Sequence, residues 1–124
     1  MKRLIAVAAA AAAVSILPAT SGAGTGRQAW SQAGCGGCHT LAAAKSGGVT
    51  GPNLNEVLPG QSAAMIKESI EDPNAKIAKG YPANVMPQNF HETLTPKEIE
   101  NLVEYLIEST STGGGKGGSG GKGA

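Results

Sequence analysis

The sequence predicts a small all-α domain, and three observations support this class. A strong helix signal starts at Thr95-Pro96-Lys97-Glu98, where Thr95 can cap the helix and Glu98 can reach back to the cap residue. Two weaker helical patterns precede it. The segments between the patterns look like loops, and no internal repeat is visible. We therefore expect three to five helices in one domain.

The last helix is the most regular of these elements. Its apolar residues recur at positions i, i+3, i+4, i+7 and i+8, which places them on one face: Ile99, Leu102, Val103, Leu106 and Ile107. This helix is expected to end before Gly113. The first helix is predicted over Arg27 to Gly34.

A middle helix is predicted to start after Ser62 and to end at Asp72-Pro73, because the residue before a proline disfavours the helical conformation. Its inward face would consist of Ala63, Ile66 and Ile70. The stretches Thr40 to Gln61 and Pro73 to Leu94 are predicted as loops. Loops this long in a small domain suggest that something organises them.

Both ends of the chain are predicted to lie outside the domain. Residues 1–23 combine a basic start, an apolar run and a small-residue exit, as in a secretory signal peptide. Cleavage is expected after Ala23, with Ala19 as the alternative. The apolar run is shorter than the roughly 20 residues that span a bilayer, which disfavours a retained anchor. Residues 113–124 are predicted to form a flexible Gly/Lys-rich tail.

The remaining domain, residues 24–112, has an acidic balance and few large side chains. Six basic and nine acidic residues give it a formal charge of −3, which does not fit a nucleic-acid-binding surface. Its aromatic residues are Trp30, Tyr81, Phe90 and Tyr105. So small a core often needs a built-in component, and two cysteines allow at most one disulfide. A large apolar group such as a porphyrin would complete the core.

The motif Cys35-Gly36-Gly37-Cys38-His39 has the Cys-x-x-Cys-His spacing of c-type haem attachment. Two thiols at this spacing can form thioethers with the vinyl groups of one haem, and His39 can then bind the iron. A thiol–disulfide redox pair is the first alternative, but the βαβ pattern of thioredoxin-like proteins is missing. A zinc site is the second, and His91 is the one additional strong donor for it.

The second axial ligand of the iron is predicted to be Met86. It lies in a loop that Pro82 and Pro87 restrict, and a stiff loop can hold a weak thioether donor against iron. Met65 lies on the middle helix, where filling the core is the expected role. His91 is a poorer candidate ligand.

These residues resemble the class I cytochromes c over nearly all of residues 24–109. Three separated pieces occur in the family's order: Cys-Gly-Gly-Cys-His-Thr, Gly51-Pro52-Asn53-Leu54, and the Met86 loop followed by a capped helix. Residues 72–87 look most like the cytochrome domain fused to subunit II of some haem–copper oxidases. The resemblance implies a small cytochrome c fold, wrapped around one covalently attached haem c.

The resemblance also implies roles outside the motif. Pro52 matches the proline whose carbonyl accepts the proton on the second ring nitrogen of His39. Gly26 and Tyr105 resemble the small/aromatic pair at the crossing of the first and last helices. Aromatic side chains are expected near the haem, with Tyr81 at a propionate and two others packing nearby: Trp30 and Phe90. For Pro52, the alternative is the role of a simple turn residue. For Trp30 and Phe90, the alternative is packing in the core without a role at the haem.

With His39 and Met86 on the iron, no coordination position is open to a substrate, so we expect an electron carrier that is not an enzyme. The expected protein is a soluble, monomeric, periplasmic carrier that links a quinol-oxidising complex to a haem–copper oxidase. It would meet the membrane through these partners unless the leader is retained. Four lysines could surround the exposed haem edge: Lys45, Lys67, Lys76 and Lys79.

Two other functions remain open at this stage. A haem enzyme or gas sensor would have an empty or labile sixth position. A tethered electron-transfer subunit would be held to a larger complex by the leader or the tail.

Overall fold

A computed structural model describes residues 12–16 and 22–111 of the chain. The α-helices in these residues are α1 (Gly22–Gln32), α2 (Leu54–Val57), α3 (Ala63–Glu71), α4 (Phe90–Thr93) and α5 (Pro96–Thr110). Two single-turn 3₁₀ helices cover Cys35–Gly37 and Ala42–Ala44. The strands β1 (Thr40–Leu41) and β2 (Ser46–Gly47) form a minimal antiparallel ladder. The predicted all-α class with three to five helices is confirmed.

The predicted signal peptide and tail fall mostly outside the described residues. Residues 12–16 have no regular secondary structure, and the side chains of Val14 and Ile16 are exposed. Helix α1 begins at Gly22, so cleavage after Ala23 would remove its first two residues. In the described part of the chain, no helix is long and apolar enough to cross a membrane. The cleavage site and the tail stay predictions.

The predicted capping box of α5 and the predicted start of α3 after Ser62 are confirmed. The side chain of Ser62 accepts a hydrogen bond from the Met65 amide, which starts α3 directly after Ser62. At α5, the Thr95 hydroxyl accepts from the Glu98 amide while the Glu98 carboxylate accepts from the Thr95 amide. Each reciprocal bond satisfies an amide that would otherwise lack a partner in the first turn.

Helix α1 and the inward face of α3 differ from the prediction. Helix α1 starts before Arg27 and ends at Gln32, and Gly34 then adopts a left-handed conformation with φ of 71°. Glycine tolerates this conformation at little cost, so the chain can turn there into the Cys35–His39 motif. On α3, Ala63 is exposed, and the buried face consists of Ile66 and Ile70.

The prediction of loops over residues 40–61 and 73–94 is also partly wrong. Helices α2 and α4, one 3₁₀ turn and the β1–β2 ladder occur in these stretches. Each of the two helices has four residues, barely more than one turn. Such a helix is too short to create a periodic apolar pattern that sequence inspection can detect.

Helices α1 and α5 pack closely together and form the base of the domain. At their contact, the backbone of Gly26 lies against Asn101 and Tyr105. A Cβ atom added to Gly26 would lie 2.5 Å from the Tyr105 Cβ and would also overlap the Asn101 carbonyl. The small/aromatic pair implied by the resemblance is therefore in direct contact, and glycine allows that contact.

We predict that Gly26→Ala destabilises the haem-loaded protein by about 1–3 kcal/mol, because the helices must separate to accept the methyl group. Alanine is the better helix former by up to about 1 kcal/mol, so a net loss reports the steric contact. Guanidinium denaturation followed by circular dichroism measures the change. Gly47→Ala is the control, since its Cβ would meet no atom within 4 Å. Equal losses in both variants would contradict the prediction.

The capping box also predicts a pH dependence. Hydrogen bonds from the Thr95 amide and hydroxyl hold the pKa of Glu98 below its ordinary value near 4.5. A lowered folded-state pKa contributes stability that is present above the unfolded-state pKa and is lost as pH falls through the folded-state value.

We therefore expect Glu98→Gln to be less stable than the wild type at pH 7, with the difference disappearing as the pH falls well below 4.5. Thermal unfolding across this pH range measures the difference. A stability gap that stays constant from pH 7 to pH 2 would show that the carboxylate charge does not matter. Glu104→Gln, on the exposed face of α5, is the matched control.

Candidate functional site

One cavity of about 480 Å³ opens between α1, the Cys35–Gly37 turn, α2, α3, α5 and the loop over residues 73–87. This volume is in the usual range for a small-molecule or cofactor site. Its wall is mostly apolar and includes much of the buried core: Trp30, Leu54, Leu58, Ile66, Ile70, Phe90, Leu102 and Leu106.

The haem-attachment motif forms part of this wall. The amides of Cys38 and His39 both donate to the Cys35 carbonyl, at 3.2 and 3.0 Å. This tight turn brings both thiols and the imidazole to one cavity, which all three residues line. Both cysteines are free rather than joined in a disulfide.

The electrostatic environment of Cys35 does not suit a thiol–disulfide redox pair. Burial raises the pKa of its thiol to about 11; the nearby Cys38 adds to the increase, and a backbone hydrogen bond opposes it. Redox-active cysteines of the Cys-x-x-Cys type have lowered pKa values, because the thiolate is the reactive form. A half-buried, protonated thiol that lines an apolar cavity fits thioether formation with a bound ligand better.

The zinc alternative also lacks support from the geometry. His91 is exposed on α4, with Nε2 3.8 Å from the carboxylate of Glu92, and it does not line the cavity. Within residues 22–111, no group of three or more His, Cys, Asp and Glu side chains is close enough to hold a metal ion.

The imidazole of His39 is held in one orientation. Its Nδ1 lies 2.8 Å from the carbonyl oxygen of Pro52, the partner that the resemblance implies. A carbonyl can only accept, so Nδ1 carries the proton and Nε2 keeps its lone pair for a metal. Gly51 lies against the ring: a Cβ there would be 2.6 Å from the His39 Cε1.

The β1–β2 ladder and the residues that follow it contact the backbone of the Cys35–His39 motif. The Ser46 hydroxyl donates to the His39 carbonyl at 3.0 Å and accepts from the Leu41 amide at 3.1 Å. Gly48 approaches the motif so closely that a Cβ would lie 2.6 Å from the Cys38 carbonyl carbon. The Gly51 amide donates to the Cys38 carbonyl at 2.7 Å. These contacts fix His39 relative to the cavity.

Met86 lines the same cavity and packs against the hydrophobic core. Its carbonyl accepts a hydrogen bond from the Gln88 side chain at 2.8 Å. Met65 does not line the cavity, and its side chain is 36% exposed, so the prediction that it fills the core is wrong. It lies on the face of α3 that points away from Ile66 and Ile70.

The structure places the three aromatic residues at different depths of the cavity wall. Trp30 and Phe90 are buried in the core and line the cavity. Tyr81 lines it from an exposed position, with its backbone amide bonded to the Ala78 carbonyl. Either role considered for Trp30 and Phe90 is compatible with this placement, since core and cavity wall coincide here.

Sequence reasoning missed two parts of the site. One is the wall formed by Leu54 on α2 and by Leu58 directly after it, and α2 is too short for its apolar spacing to have indicated this wall. The other is the pair Asn74 and Asn84 at the cavity. Nothing in the local sequence joins these two residues, which are ten positions apart and meet through their side chains.

The residues present fit a covalently bound haem. Two unbridged thiols could form the thioethers, the free Nε2 of His39 could bind the iron, and the thioether of Met86 is available in the same cavity. The apolar wall suits a porphyrin ring, and the close approach of Gly51 leaves the imidazole no room to turn away.

Comparisons with known proteins agree with this geometry. The cytochrome c family model matches residues 23–110. The solved structure of the c-type cytochrome SorU from Sinorhizobium meliloti is similar, with a TM-score of 0.51 and 28% sequence identity, covering 73% of this chain and 93% of that one. No significant match was found among curated proteins.

The predicted cofactor, haem c, is confirmed, because proteins of this family bind it covalently through such a motif. The predicted cytochrome c fold is confirmed by the same match and by the helical architecture. Since the match over residues 23–110 covers more than half of the chain and nearly all of the described domain from α1 to α5, this chain belongs to the cytochrome c family.

Proposed function

We propose that this cytochrome is an electron carrier of an extracytoplasmic respiratory chain and not an enzyme. A quinol-oxidising complex would be its donor and a haem–copper oxidase its acceptor. The observation that supports this proposal is that His39 and Met86 line one cavity, where both side chains would hold the iron of a bound haem. A cytochrome c domain supports electron transfer in general, and c-type cytochromes are typically extracytoplasmic. The predicted signal peptide agrees with a periplasmic location.

The surrounding residues adjust the electron affinity of the site in two opposing ways. Haem iron with His and Met ligands supplies one-electron chemistry at a raised reduction potential. The apolar wall disfavours the additional positive charge of the oxidised form and acts in the same direction. The hydrogen bond to Pro52 makes the His39 imidazole a stronger donor, which favours the oxidised form.

The rim of the cavity offers a surface for brief contact with redox partners. Lys76 and Lys79 line the cavity, whereas Lys45 and Lys67 do not. Of the four lysines that were expected around the exposed haem edge, only Lys76 and Lys79 therefore lie at the cavity. Beside them are three partly exposed apolar side chains that also line it: Ile77, Tyr81 and Val85. An apolar centre with a basic edge suits a weak encounter with an acidic partner.

The axial-ligand assignment can be tested with a matched pair of methionine variants. We expect the wild type to be low-spin, with the weak far-red absorption of ferric iron bound to a thioether. Met86→Ala should lose this band and bind carbon monoxide readily when reduced, because the sixth position is then open. Met65→Ala should keep the wild-type spectrum, since Met65 is exposed away from the cavity.

Two results would contradict the carrier function. One is free binding of carbon monoxide by the wild type, and the other is an unchanged spectrum in Met86→Ala. Both would favour a haem enzyme or gas sensor with a labile sixth ligand.

The electron-exit surface can be tested with small reagents of opposite charge. We expect Lys76→Glu/Lys79→Glu to slow oxidation by anionic ferricyanide about tenfold at low ionic strength and to accelerate oxidation by a cationic cobalt(III) complex. Stopped-flow kinetics measures both rates, and added salt should reduce both effects.

Lys45→Glu/Lys67→Glu is the control, because it changes the net charge equally at positions away from the cavity. It should change both rates much less. Equal effects of the two double variants would indicate that net charge, rather than a local surface, controls the reaction.

A further inference from the structure

We propose that Asn74 is a positioning residue for Met86, because it fastens the loop that carries this methionine to the end of α3. This inference rests on the proposed function, in which Met86 binds the haem iron. It concerns how firmly that bond is kept, and hence how readily other ligands reach the iron.

Asn74 and Asn84 form a reciprocal pair. The Asn74 Nδ2 donates to the Asn84 Oδ1 at 2.7 Å, and the Asn84 backbone amide donates to the Asn74 Oδ1 at 3.0 Å. Asn84 has a φ of 63°, in the left-handed region that is unfavourable for most residues other than glycine. Asparagine tolerates this conformation best among the others, and here both its side chain and its amide are bonded.

The two bonds between Asn74 and Asn84 attach the loop that carries Met86. In the described part of the chain, they are the hydrogen bonds that connect residues 76–88 to the rest of the protein. The bonds from the Tyr81 amide to Ala78 and from Gln88 to Met86 stay inside the segment. Packing of Met86 against the core is the other attachment.

The Asn74 end of the pair is firmly anchored. The Asp72 amide donates to the Glu68 carbonyl at 2.7 Å and ends α3, and the Ala75 amide donates to the Asp72 carbonyl at 3.0 Å. Between them, Pro73 is buried and lines the cavity. Asn74 is therefore held by a closed turn on a helix that packs against α5.

The Asn84 end is close to the ligand. Only Val85 separates Asn84 from Met86, and because the Val85 side chain is 48% exposed, it can supply only part of the attachment of this segment. A fixed Asn84 keeps the Met86 backbone within about 7 Å of it, the reach of two extended residues. Without the pair, residues 76–85 could lift from the cavity and carry Met86 with them.

The test measures how fast imidazole replaces Met86 in the ferric, haem-loaded protein. At saturating imidazole, the rate is limited by dissociation of the thioether, so it reports on the loop directly. We expect Asn74→Ala, which deletes both bonds, to react about tenfold faster than the wild type. This factor corresponds to about 1.4 kcal/mol at 25 °C.

Two variants at position 84 separate the contributions. Asn84→Gly keeps the left-handed backbone and its amide but loses the side-chain acceptor, so it should react at an intermediate rate. Asn84→Asp keeps both hydrogen bonds and should stay near the wild-type rate. Asn55→Ala is the control for loss of an asparagine, since its bonds to Ala42 and Asn53 lie outside the Met86 loop.

The outcomes are distinct. The order Asn74→Ala, Asn84→Gly, Asn84→Asp, from fastest to slowest, with Asn55→Ala unchanged, supports the positioning role. A wild-type rate in Asn74→Ala, or equal acceleration in Asn55→Ala, overturns the positioning role. The proposed function stays intact in either case if the wild type shows the thioether band. If the wild type has no thioether band, the proposed function fails, and this inference fails with it.

Discussion

The site depends on the hydrogen bond from the His39 Nδ1 to the Pro52 carbonyl. It selects the tautomer that leaves Nε2 available to a metal, and it brings the segment around Pro52 flat against the imidazole. That close approach requires glycine at position 51, since a Cβ would overlap the ring. The same segment is joined to the motif by the bond from the Gly51 amide to Cys38, so the ligand and its support are built together.

The hydrophobic core and the cofactor cavity are largely the same structure. Trp30, Phe90 and Leu102 are buried in the core and also line the cavity. A domain with so few large side chains has little apolar material to bury by itself. Burial of a porphyrin against these residues therefore serves both stability and electron transfer, and the α1–α5 contact at Gly26 provides the rigid base on which the cavity is built.

The elements that could be predicted are those with a local cause. The capping box and apolar stripe of α5, and the start of α3 after Ser62, have causes that act within a few residues, so the pattern alone indicates them. Met65 shows the limit of this reasoning. Its position on an amphipathic helix suggested burial, but its side chain is 36% exposed. The lysines show the same limit, because only the folding of residues 73–87 decides which of them reach the cavity.

By itself, the sequence determined the covalent chemistry: Cys35, Cys38 and His39 are adjacent in the chain, so their spacing suffices to identify haem attachment. It also indicated Met86 through the prolines around it. Only the tertiary structure decided which groups hold these residues in place. The bond between Asn74 and Asn84 and the approach of Gly51 to His39 join residues that are at least ten positions apart, whereas the contact of Gly26 with Tyr105 on α5 was already implied by the family resemblance. Such contacts depend on how the loops fold over the cavity, and no local pattern encodes them.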